Sequence, residues 1–167
     1  MHTDDFWHLI DDARTGAVDD EDHSDALVRL LAQLAPGEII AFQRRYREYK
    51  ALSCTEPLWA AACLVNEEAD DEGFDRFRDW LIGQGRDRFE AALADPDSLA
   101  TATWDAQSIE DAENLAYAAP DAYRQLTGGE LFLPDVALER AFTGRAWGPQ
   151  DLPRLLPRLA TRVGRTV

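Results

Sequence analysis

Apolar side chains recur along this chain with the period of an α-helix. Phe6, Leu9, Ile10 and Ala13 follow the i, i+3, i+4, i+7 spacing, with Thr3 available as N-cap and Asp4 and Asp5 in the first turn. Gly16 ends that helix, and the acidic run from Asp19 to Asp25 reads as a solvated loop. Ser24 or Asp25 then opens a second helix with Leu27, Leu30, Leu31 and Leu34 on one face. Pro36 breaks it and serves as a first-turn residue of a third, which turns Ile39, Phe42, Tyr46 and Tyr49 to one side. Pro57 starts LWAAACLVNE, which is apolar almost all round, as expected of a helix in the middle of a bundle.

The period continues through Phe74, Phe77, Leu81 and Ile82, breaks at Gly83 and Gly85, and resumes with Phe89, Ala92 and Leu93. Asp95 to Ser98 is a turn in which Asp97 is placed to cap a short helix. A further helix is predicted from about Ile109 to Ala118, with Pro120 interrupting it before Gly128 and Gly129 close the region. Glu130 to Pro149 is the least regular stretch, and LFLPDVAL there is a candidate strand without a partner. Leu152, Leu155, Leu156, Leu159 and Val163 form a last stripe opposite Arg154, Arg158, Arg162 and Arg165, which Pro157 either starts or bends. The pattern predicts an all-α, compact single-domain helical bundle of about seven to nine helices over residues 1–167.

Composition narrows the partners more than the chemistry. At 167 residues and 46% hydrophobic content the chain is sized for one domain and too apolar for disorder. No run of eighteen apolar residues is present, and the opening MHTDDFWHLIDD is acidic where a signal peptide is basic, so a soluble, cytoplasmic protein is expected. Thirty-two acidic against seventeen basic side chains give a net charge of −15, which repels nucleic acid and anionic membranes alike. Cys54 and Cys63 form no C-x-x-C pair, and Cys63 lies in an apolar run. No H-E-x-x-H, G-x-S-x-G or phosphate-loop motif occurs, and the Asp19 to Asp25 run lacks the Gly and Glu of a calcium loop, so neither metal nor cofactor is expected.

Arg78 is the most informative single residue. On a helical wheel it falls between Phe74, Phe77, Leu81 and Ile82, where a guanidinium needs a carboxylate partner. Glu113, Asp95 and Asp97 are the candidate partners. The simpler account is a structural ion pair between helices; the sharper one is an anion site at the floor of a cleft, with Arg86 and Arg88 nearby. Arg76 falls on the outer face. Trp7 and Trp80 lie at the margins of their apolar arcs, which makes them candidate interface residues together with Asp19, Asp20, Glu21, Asp22, Asp71 and Glu72.

Several stretches together resemble a bacterial family known as domain of unknown function 4240. They are FWHLID, LWAAACLV, DEGFDRFRDWLIGQGR, DPDSLA, ENLAYAAPDAY and the closing LPRLA, spread over almost the whole chain. Family members carry a Cys-Ser-Asp-Asp-Gly-Phe run before the F-R-x-W segment, where this chain has Ala69-Asp70-Asp71-Glu72-Gly73-Phe74. The resemblance implies a fold and a set of residues but no reaction. The residues point to an acidic, non-catalytic protein-binding or regulatory module of the immunity or antitoxin kind, with a basic protein as partner. The competing expectation is an enzyme, or a small-ligand or peptide-binding protein, with an Arg-lined anion site around Arg78 and Arg86. A concave pocket lined by those Arg separates the two.

Overall fold

The computed structural model describes residues 1–15, 20–66, 70–133 and 142–165. They form helices α1 (Thr3–Arg14), α2 (Asp20–Leu31), α3 (Pro36–Leu52), α4 (Glu56–Val65), α5 (Asp71–Gly83), α6 (Arg86–Ala94), α7 (Ala106–Asp111), α8 (Glu113–Thr127), α9 (Leu152–Leu155) and α10 (Pro157–Arg162). Short 3-10 helices run over Pro96–Thr101 and Pro149–Asp151. The fold is all-α: among the described residues the one extended pairing is an isolated parallel bridge between Thr55 and Thr143. The candidate strand falls largely on 134–141, outside the described residues.

Four local expectations need correction. His2 rather than Thr3 precedes the first turn of α1, and the Asp5 carboxylate accepts the His2 N–H at 3.3 Å. The acidic run is no loop from Asp20 onward: it supplies the first two turns of α2, where negative charge suits the helix dipole and where His23 and Ser24 turn inward. Pro120 sits inside α8 instead of breaking it. Asp95, not Asp97, caps the 3-10 helix at Pro96, through its bond from Asp97 N–H.

Helix α5 is the hub. It packs on α1, α3, α4, α6, α7 and α8, so its C-terminal half, from Asp79 to Gly83, has no solvent-facing side. Gly83 permits the approach of α8, since a Cβ there would stand 2.6 Å from Leu115 Cδ1. Two aromatic groups fill the core around it. Trp7 packs against Phe6, Tyr49 and Phe89, with Nε1 donating to Tyr49 Oη at 3.2 Å. Phe74 stacks on Trp59 and Phe142 and continues through Phe77 to Trp80. Edge-to-face and offset rings of this kind add to the burial of their large apolar surface.

Polar contacts centred on the buried carboxylate of Asp97 tie α10 to this body. Asp97, 6% exposed, accepts the N–H groups of Leu159 at 2.8 Å and Arg158 at 3.1 Å, two orphan donors at the start of α10, and also Arg158 Nε at 2.9 Å. Asp95 takes the other arm of the same guanidinium. Arg162 donates to the carbonyls of Ala100 and Ala102, and its guanidinium lies 3.7 Å from the centre of the Trp104 ring. Leu152, Leu156 and Leu159 are buried beneath these contacts, while Leu155 points outward. Asp97→Ala is therefore expected to cost at least the ~1–2 kcal/mol of a lost helix cap. Asp95→Ala, which loses one exposed ion pair and the cap bond to Asp97 N–H, should cost about 1 kcal/mol. Urea denaturation of both variants checks the ranking, and equal losses would remove the capping role assigned to Asp97.

Candidate functional site

Three features gather charged side chains: a cluster under α3 and α5, an arginine cleft beside α1, and an acidic hollow at the start of α5. The first is the most deeply buried. Asp79 is 1% exposed on the side of α5 that meets α3. Its Oδ1 accepts the Tyr46 hydroxyl at 2.9 Å and its Oδ2 accepts Lys50 Nζ at 2.8 Å. Lys50 Nζ also reaches Asp75 at 2.6 Å, Asp75 pairs with Arg78, and Arg78 Nη1 closes the ring by donating to the Lys50 carbonyl at 3.0 Å. The Arg78 guanidinium lies over the Phe74 ring, and its Nε–H is buried without an acceptor. Burial lifts the Asp79 carboxyl to about 6 despite the pull of Lys50 and Tyr46. Burial, with Asp79 adding to it, also pushes the Tyr46 hydroxyl well above its ordinary value, so Tyr46 remains a donor.

The arginine cleft has a volume of about 510 Å³ and runs between α1, the α5–α6 corner and the 3-10 helix Pro96–Thr101. Asp4, Trp7, His8, Asp11 and Arg14 line it from α1, and Arg86, Asp87 and Arg88 from the first turn of α6. Gly85 precedes that turn with φ +86°, which strains any other residue, and Asp11 Oδ1 lies 2.3 Å from where a Cβ would stand, so a side chain there would push that carboxylate aside. Three arginines face three aspartates. Arg86 pairs with Asp4 at 2.7 Å and with Glu90 at 2.8 Å, Arg14 pairs with Asp11 at 3.1 Å, and Arg88 bonds Gln84.

In the acidic hollow, Asp71, Glu72, Asp75 and Glu113 surround Arg76. Arg76 pairs with Glu72, Glu110 and Glu113, clamping α5 to α7 and α8. Among the described residues no group of three or more His, Cys, Asp or Glu side chains is arranged to hold a metal ion.

The structure separates the residues that spacing had grouped. Arg78 bonds Asp75 rather than Glu113, Asp95 or Asp97, because Glu113 on α8 faces Arg76 and both aspartates are taken by Arg158. Arg86 lines the cleft without Arg78; its companions there are Arg14 and Arg88. Arg76 is not a free outer-face charge but the centre of a three-carboxylate clamp. Trp7 and Trp80, at 2% and 1% exposure, are core residues and present no surface. Asp22, Asp71 and Glu72 are exposed, whereas Asp19 and the side chains of Asp20 and Glu21 lie outside the described residues.

Sequence reasoning missed Asp79, Lys50 and Tyr46. Their signal was present as two i, i+4 pairs, Tyr46–Lys50 and Asp75–Asp79, and as the single Lys among sixteen Arg. His23 was missed too. It is 3% exposed, donates from Nε2 to the Ile10 carbonyl at 3.2 Å, and is held below its ordinary value by burial.

These two buried groups act on stability with opposite sign. Between about pH 4 and pH 6 native Asp79 keeps a proton that the unfolded chain has released, so its contribution falls as pH rises through that window. His23 is the reverse: the unfolded imidazole takes up a proton at 6.5 before the native one does, so stability falls as pH drops through 6.5. Asp79→Asn should thus lessen the loss of stability on going from pH 4 to 6, and His23→Gln should lessen the loss on acidification below 6.5. Denaturant titrations of both variants across this range read the slopes directly. Parallel curves for wild type and Asp79→Asn would show that Asp79 is not shifted.

Among the described residues no helix is long and apolar enough to cross a membrane. No curated protein and no solved structure matches the chain. A family model described as protein of unknown function, DUF4240, matches residues 1–125 of the 167. The match takes in the buried cluster, the residues of the arginine cleft and most of α8, and leaves α9 and α10 outside it. By this match the chain belongs to the DUF4240 family.

Proposed function

We propose that this protein is a non-catalytic, acidic binding module that recognises a basic partner protein, as immunity and antitoxin proteins do, and that it works in a bacterial cytoplasm. The observation that carries the reading is where the positive charge goes. Arg14, Arg45, Lys50, Arg76, Arg78, Arg86, Arg124, Arg154 and Arg158 are each within ion-pair distance of the chain's own carboxylates. Arg162 is spent on backbone carbonyls and an indole. Other arginines, such as Arg29 and Arg44, stay exposed, but acids outnumber them: carboxylates without a described ion pair, such as Asp12, Asp25, Asp70 and Asp71, carry the surplus behind the net charge of −15 outward. Such a field accelerates encounter with a basic surface and repels nucleic acid and anionic lipid. A chain with two cysteines and no disulfide pattern suits a reducing compartment.

Affinity capture on the immobilised protein, followed by association kinetics of the captured partner, tests this. Association should slow at least ~10-fold from low to high ionic strength. The triple reversal Asp25→Lys, Asp71→Lys, Glu72→Lys should lower the on-rate much more than it raises the off-rate. A partner indifferent to both salt and charge reversal would sink the electrostatic reading.

A second reading has the arginine cleft in its favour. Arg14, Arg86 and Arg88 converge beside the start of α6, whose cap residue Gly85 offers no side-chain bond, so the cleft suits a small anion or a peptide carboxylate. Inorganic phosphate or citrate would then raise the Tm of the wild type and do so less for Arg88→Ala. The absence of any rise with either anion would dispose of this reading.

A further inference from the structure

The exposed ridge of α1 has a second side. Opposite the arginine cleft lies a hollow of about 600 Å³ between α1 and the start of α3. Leu9, Leu34, Ala41 and Met1 give it an apolar part of its lining. Its rim is acidic, with Asp5 and Asp12 on α1 and Glu38 on α3, and among the described residues no Arg or Lys lines it. His8 sits on the crest shared by both hollows.

The two sides of α1 treat their acids differently. On the cleft side Asp4 and Asp11 are neutralised by Arg86 and Arg14. On the other side Asp5 and Glu38 accept the uncharged N–H groups of His2, at 3.3 Å, and Ala35, at 3.0 Å, which leaves their charge uncancelled. Asp12 is exposed and forms no ion pair with a described residue. Arg45, at the Met1 end, is held by Glu48 and the Met1 carbonyl. The hollow thus joins an apolar lining to three carboxylates, with His8 the one basic side chain among its described lining residues.

We propose that this hollow seats a basic amphipathic segment of the partner protein, with an apolar side chain on Leu9, Leu34 and Ala41 and flanking Lys or Arg on Asp5, Asp12 and Glu38. The proposal rests on the acidic-module reading and names where that module engages its partner. An apolar surface bordered by charge is how grooves read i, i+3, i+4 patterns on a helix. A lipid surface or a nucleic acid brings phosphate to this rim and is repelled; an acidic peptide is repelled likewise.

The probe is a fluorescein-labelled synthetic peptide of Leu and Lys in helical period, titrated by anisotropy. Two controls have the same composition shuffled off one face, or Glu in place of Lys. Two variants block the hollow without disturbing the core. Gly37 lines it, and a Cβ at that position would meet nothing within 4 Å, so Gly37→Trp introduces an indole from open space. Asp12→Lys reverses one rim charge.

The amphipathic peptide is expected to bind, each variant to weaken it at least ~10-fold, and amide NMR shifts to centre on Asp12, Leu34 and Gly37. Equal affinity for the shuffled peptide, or unchanged affinity in both variants with native circular dichroism, overturns the proposal. If the peptide binds but its shifts map to Asp70–Glu72, the hollow is wrong while the acidic module stands. If the peptide fails to bind the wild type, the hollow falls, and the broader reading is judged separately by the salt dependence of the captured partner.

Discussion

One buried carboxylate sets the geometry of this protein. Asp79 lies in the centre of the bundle, and removing a carboxylate from water costs several kcal/mol unless hydrogen bonds replace the solvent. Tyr46 and Lys50, one helical turn apart on α3, supply those bonds. They do so only if α5 presents Asp79 to α3, which fixes the rotation of α5 about its axis. With that rotation set, Arg76 falls opposite Glu110 and Glu113, and Arg78 lies along Asp75 and over Phe74. A turn of α5 by one residue, about 100°, would break the contacts of Asp79 and Arg76 with the neighbouring helices at once.

The same logic of local neutralisation runs through the rest of the molecule and decides what is left over for binding. Arg158 is divided between Asp95 and Asp97, and Asp97 in turn caps α10, so this cation of the C-terminal segment is used in holding α10 to the body. Arg86 reaches from α6 to Asp4 and balances the cleft beside α1. Each such pair cancels locally, so the net charge of −15 rests on the carboxylates that have no cation beside them. The surface keeps a negative surplus, and around α1 that surplus is confined to the side with the partly apolar lining. The hollow on that side offers apolar surface and uncancelled charge together.

Most of the helical architecture was legible in the sequence, because the signals act within a turn or two. The apolar period, Pro36, Pro57 and Pro157 in first turns, and Gly85 and Gly128 at ends each bias only their neighbours, and each is found in the helix or break expected of it. Where local reading failed, tertiary contacts had overridden it. The acidic start of α2 is helical because His23 and Ser24 reach Ile10 and Asn114 on other helices. Pro120 is accommodated within α8, a helix packed along α2, α3 and α5.

The sequence by itself determined an acidic all-helical chain, the approximate place of most of its longer helices, and the family to which its residues are similar. It ran α7 into α8 and α9 into α10. Tertiary structure alone decided which charges meet. Tyr46 and Asp79 are 33 residues apart, Asp97 and Leu159 are 62 apart, and Arg86 and Asp4 are 82 apart. A helical wheel assigns each helix one inner and one outer face. A hub helix such as α5 has no outer face along half its length, so even its Asp79 is buried in the fold. Arg78, which the wheel placed deepest, pairs with a neighbour one turn away on its own helix. The partner of a buried charge is fixed by whichever helix packs opposite it, and that is a property of the assembled bundle, not of any segment within it.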